Sequence, residues 1–114
     1  MSASVEAALI GRRTAALDLL AALEREHAAV VAASEDSNAD DEHDPEGATI
    51  AFERAQLDSS IAELRAQVEQ LDAALDRLAD GTYGVCEVCG LPIPADRLDV
   101  RPSARTHVAC ARRP

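Results

Sequence analysis

Four residues in the last third of the chain have the types and the spacing of a metal site: Cys86, Cys89, His107 and Cys110. They read C-x2-C, then seventeen intervening residues, then H-x2-C. Two ligand pairs, each separated by two residues, are the spacing of a tetrahedral zinc ribbon. The short step inside each pair lets one tight turn aim two side chains at a single ion. Gly90 directly after Cys89 permits such a turn, with backbone N–H groups directed at the sulfurs. Three thiolates and a neutral imidazole around Zn²⁺ carry a charge of about −1, and four protein ligands leave no position for water or substrate. The pattern therefore predicts one structural Zn²⁺ and no metal catalysis. A thioredoxin-like redox pair at Cys86 and Cys89 would need a βαβ setting, which the flanking sequence does not offer.

The elements around the site explain why a metal is needed. Aromatic residues are 2% of the 114, namely Phe52 and Tyr83. The segment 81–114 holds only Tyr83 of these, too little apolar bulk to fold by burial alone, and zinc supplies the difference. Upstream, the apolar 47% is mostly Ala and Leu, strong helix formers. Leu57, Ile61, Leu64, Val68, Leu71, Leu75 and Leu78 follow one another at steps of 4, 3, 4, 3, 4 and 3, an a/d seam. Ile50 extends the seam backwards. Asp44, Pro45 and Glu46 read as N-cap, first helical residue and first-turn acid, and Gly81 as the left-handed residue that closes the helix. The helical core of this segment, Thr49 to Asp80, would be about 48 Å long. An earlier stretch, Ser4 to Ala33, carries a stripe at Leu9, Ala16, Leu19, Leu23 and Val30, widened by Leu17, Leu20 and Val31. His27 and His43, with no Cys nearby, read as solvated, and Tyr83 as packing where helix meets lobe. The expected fold is mostly α: a long antiparallel coiled-coil hairpin over 1–80 with a small C-terminal zinc-ribbon lobe over 81–114.

Charge is unevenly placed. The net charge is −10, and all eleven basic residues are Arg. Between Ser34 and Glu46 stand seven acids and no Arg, so the polar connection between the helices, near 34–48, forms an acidic tip. Five Arg follow Leu91, among them Arg97, Arg101 and Arg105. Such a balance argues against direct DNA binding, which needs a basic face. No stretch is apolar for long enough to span a membrane, and the N-terminus lacks the pattern of a signal peptide. The expected location is the cytoplasm, where clustered Cys signifies metal more often than disulfide.

Gly81-Thr82-Tyr83-Gly84, then Cys86, Cys89 and Gly90, then Ile93, Pro94, Arg97, Leu98 and Pro102, resemble the DksA/TraR family. The resemblance covers roughly Asp44 to Cys110. It implies a coiled-coil hairpin with a zinc finger, and a transcription regulator that binds bacterial RNA polymerase in its secondary channel without touching DNA. The acidic tip would then face the active centre, with Asp41, Asp44 and Glu46 as contact residues and Arg97 and Arg101 as contacts from the lobe. His107 stands where the family usually has Cys. The family tip motif, D-x-x-D-x-A, is met only in part by Asp41-Glu42-His43-Asp44 and by Asp44-Pro45-Glu46-Gly47. The resemblance does not decide whether a nucleotide such as ppGpp takes part. A competing expectation is a zinc-ribbon interaction module with another protein partner, bound through Arg97, Arg101 and Arg105. An enzyme is not expected: no nucleophile–base pair or phosphate loop can be placed.

Overall fold

The computed structural model describes residues 2–36 and 45–112. Two long helices, α1 (Ser2–Asp36) and α2 (Pro45–Asp80), are followed by two short ones, α3 (Ala95–Val100) and α4 (Val108–Ala111). The class is the mostly helical one that the periodicity predicts, with a cysteine–histidine cluster after the second long helix. Asp41, His43 and Asp44 lie outside the described residues, and Glu46 lies in the first turn of α2. Pro45 opens α2 as expected, its missing N–H falling where the helix needs none.

The far end of α2 is equally explicit. Gly81 sits at φ 84°, a left-handed conformation that costs glycine nothing. The Thr82 N–H then donates to the Arg77 carbonyl at 2.9 Å, closing a Schellman turn. Asp80 Oδ1 also accepts from the Thr82 N–H and hydroxyl, at 3.1 and 2.5 Å.

By internal packing the chain divides into two compact units, Ala16–Gln67 and Met1–Ala15 with Val68–Pro114. In the first, α1 and α2 run antiparallel. Ala16, Leu20, Leu57 and Ile61 are buried, Arg65 lies 3.7 Å from Glu24, and His27 Nε2 lies 2.7 Å from Asp58 Oδ1. His27 is therefore not the solvated residue the sequence suggested: Nε2 is shielded from water beside a carboxylate on the other helix. The α1 stripe also shifts. Leu20 is buried and Leu19 is 51% exposed, because the packed face follows Leu9, Ala16 and Leu20 and leaves Leu19 beside it. The α2 seam is the packed face as predicted, with Leu57, Ile61 and Leu71 buried and Leu64, Val68, Leu75 and Leu78 half-buried.

In the second unit the start of α1 packs against the end of α2. Leu9, Leu71 and Ala74 form the core, with Val5, Leu75, Leu78 and Tyr83 around it. Arg13 Nε bonds Asp72 Oδ1 at 2.5 Å on the rim. Tyr83 does what its position between two glycines suggests: its ring joins this core while its hydroxyl donates to the Pro102 carbonyl at 2.7 Å. Burial holds its phenol above the usual 10, which keeps the proton on that donor. The remainder of this unit, 81–112, carries the metal-ligand residues.

Candidate metal centre

The four residues singled out by spacing converge. One ligand atom from each of Cys86, Cys89, His107 and Cys110 lies within 4.8 Å of all the others. A tetrahedron with Zn–S bonds of 2.3 Å has edges of about 3.8 Å, so the cluster has the span of one ion. None of the three cysteines is in a disulfide. Cys86 and Cys110 are buried, Cys89 is exposed and His107 is half-buried, so the set closes on the lobe's interior with one edge towards solvent. The donors, three soft sulfurs and one imidazole, suit Zn²⁺.

The first pair is positioned by a tight turn. The Gly90 N–H donates to the Cys86 carbonyl at 2.9 Å, and Gly90 adopts φ 75°, which reverses the chain right after Cys89. A short hairpin carries this turn. Val85 and Pro92 pair across it, flanked by Cys86 N–H to Leu91 carbonyl at 2.9 Å and Ile93 N–H to Gly84 carbonyl at 2.7 Å.

The second pair sits at the start of α4, His107 as N-cap and Cys110 three residues on. The Ala111 N–H bonds the His107 carbonyl at 3.0 Å and brings both side chains to one side of the turn. The approach to α4 is braced at several points. Arg97 Nε donates to the Thr106 carbonyl at 2.8 Å, and Tyr83 holds Pro102. Arg105 joins this segment to the first knuckle, its Nε 3.0 Å from Glu87 Oε1, while the Glu87 N–H donates to the Arg105 carbonyl. Ile93 fills the space between Cys86 and Cys110, with Leu98 against them.

Of the lobe arginines, Arg97 is thus tied to its own loop, and Arg105 to Glu87. Arg101 is exposed at the end of α3, where its N–H caps the helix on the Arg97 carbonyl at 2.8 Å. Sequence reasoning did not find the Glu87–Arg105 clasp, because two oppositely charged residues eighteen apart carry no periodic signal.

The protons on the cluster follow from its surroundings. Burial raises the Cys86 thiol, but the backbone N–H groups of Cys89, His107 and Val88, with the His107 ring, outweigh it and bring it to about 5. Burial raises Cys110 above its usual 9, and the neighbouring Cys86 and Cys89 sulfurs raise it further. His107 is raised by the Pro92 carbonyl and then by Cys86. Zinc takes thiolates and neutral imidazole, so at neutral pH it must displace the protons held at Cys110, and protons compete with it more strongly in acid. Zinc affinity is accordingly expected to rise steadily between about pH 6 and about pH 8. Competition titration against a chelator of known proton dependence checks this, and a flat profile would contradict it.

Comparison with known proteins agrees with this geometry. Residues 81–114 match the family model described as the prokaryotic dksA/traR C4-type zinc finger. Over this segment the chain is similar to the DksA/TraR zinc finger. Here the third ligand position carries His107 in place of the cysteine that a C4 finger implies. General stress protein 16O of Bacillus subtilis is 40% identical over 73 residues, covering 63% of this chain and 44% of that protein. The RNA polymerase-binding transcription factor DksA of Caulobacter vibrioides is 43% identical over 49 residues, covering 43% and 34%. The chain thus spans less than half the length of these curated relatives. The structure of transcription factor DksA2 from Pseudomonas aeruginosa superposes with a TM-score of 0.79 at 22% identity, over 96% of this chain and 79% of that one, a likeness of fold. Among the described residues, no helix is long and apolar enough to cross a membrane.

Proposed function

We propose that this chain is a transcription regulator that binds bacterial RNA polymerase through the secondary channel. Its acidic tip is directed at the active centre, and its zinc lobe is structural. The observation that carries this reading is the union, in one short chain, of a segment similar to the DksA/TraR zinc finger with a DksA2-like fold. The name of the Caulobacter relative supplies the partner.

Work is divided along the chain. Residues 1–80 act as the coiled-coil hairpin that carries the acidic tip near 34–48, and 81–114 as the zinc-finger lobe. Asp41, Asp44 and Glu46 act at the tip by charge, and Arg97 and Arg101 meet the polymerase surface from the lobe. A net charge of −10 favours a basic protein channel over DNA. The chain works as a regulator and not as an enzyme, within the cytoplasm where polymerase resides.

The tip carries the activity in this account, so Asp41→Asn with Asp44→Asn is expected to reduce the effect on initiation in a purified transcription assay. The expected loss is on the order of tenfold, about 1.4 kcal/mol of coupling. Zinc content and helicity stay unchanged. A double variant that keeps full effect contradicts the assignment of activity to the tip and favours a lobe-based interaction module.

A further inference from the structure

We propose that His107 ligates the metal through Nδ1, and that the main-chain carbonyl of Pro92 is the group that fixes this choice. Two short contacts divide the ring's nitrogens between two tasks. Nε2 lies 2.8 Å from the Pro92 carbonyl oxygen, whereas Nδ1 lies 3.3 Å from Cys89 Sγ and 3.9 Å from Cys110 Sγ. A carbonyl oxygen only accepts, so Nε2 must carry the proton. A neutral imidazole has a single N–H, and Nδ1 therefore keeps its lone pair, aimed at the space the sulfurs enclose.

The hairpin explains why this carbonyl is available. Its two bonds, Cys86 N–H to Leu91 O and Ile93 N–H to Gly84 O, flank Val85 and Pro92 and do not join them. These two residues form a non-hydrogen-bonded antiparallel pair, in which each residue's own N–H and C=O point away from the partner strand. Proline lacks the N–H and loses nothing there. Its carbonyl, held by bonded neighbours on both sides, turns outward to the ring. Metal-bound histidines characteristically donate their second N–H to such an acceptor, which sets tautomer and ring orientation together. Pro92 is thus a positioning residue acting through its backbone. It makes histidine a fitting replacement at a position where a C4 finger has cysteine, since a cysteine offers this carbonyl no N–H.

The inference does not depend on the polymerase reading, and its test uses the zinc-loaded full chain. In a long-range ¹H–¹⁵N correlation spectrum, His107 should show an unprotonated, metal-shifted Nδ1 and a protonated Nε2, while His27 and His43 serve as internal references. A metal-shifted Nε2, or an imidazole that titrates freely in zinc-loaded protein, overturns the assignment. Cobalt(II) substitution gives a second reading. His107→Cys should move the visible absorption from a three-sulfur, one-nitrogen pattern to a four-sulfur one. If His107→Ala keeps the wild-type spectrum, His107 is no ligand and the inference falls.

Discussion

Removing zinc from the folded chain is expected to unfold residues 81–112 while leaving most of the helical signal of α1 and α2 in place. The lobe's interior cluster is Cys86, Ile93 and Cys110, with Leu98 against it, so two of its three buried members are metal ligands. Without the ion, those sulfurs are left crowded together, and a single isoleucine cannot offset the entropy of ordering some thirty residues. Structural zinc contributes on the order of 10–16 kcal/mol in small fingers at neutral pH, far more than the remaining burial supplies. The core of Leu9, Leu71 and Ala74 contains no ligand and persists. Amide hydrogen exchange before and after chelation reads both halves of this expectation at once. Protection retained between Cys86 and Cys110 in metal-free protein would show that zinc is not what folds the lobe.

The second large effect lies in the helical core. Leu71 is 2% exposed and packs with Leu9 and Ala74, so Leu71→Ala leaves a cavity whose walls are two long helices that close in poorly. The expected loss is about 2–5 kcal/mol. Leu19, by contrast, is 51% exposed, and Leu19→Ala should change stability by no more than about 0.5 kcal/mol. Urea unfolding of the zinc-loaded variants distinguishes the two. Equal losses would mean that the packed face of α1 differs from the one described.

What the sequence revealed, and what it hid, follows from how each feature is encoded. The ligand quartet was legible because cysteine and histidine at C-x2-C and H-x2-C spacing have few other uses. The α2 seam was legible because seven large aliphatic residues keep strict a/d steps. Its ends were legible as well, since Pro45 and Gly81 each answer a backbone requirement. The α1 stripe was only partly legible. In an Ala-rich helix the small residues pack or face water with little contrast, so Leu19 and Leu20 competed for one face, and on α2 Ala74 entered the core unannounced. His27 was misread because its partner, Asp58, sits on the other helix, and the register between helices is not written in either one alone. Pro92 was invisible as a ligand support for a different reason. Every residue carries a carbonyl, and only the hairpin's pairing shows which one faces the ring.

The account stands or falls on the partner. The most direct measurement is equilibrium binding of the labelled, zinc-loaded full chain to purified bacterial RNA polymerase, repeated with an unlabelled factor known to occupy the secondary channel. Saturable one-to-one binding that the competitor displaces is the predicted result. Absence of binding by folded, zinc-loaded protein, or binding that the competitor leaves untouched, would contradict it.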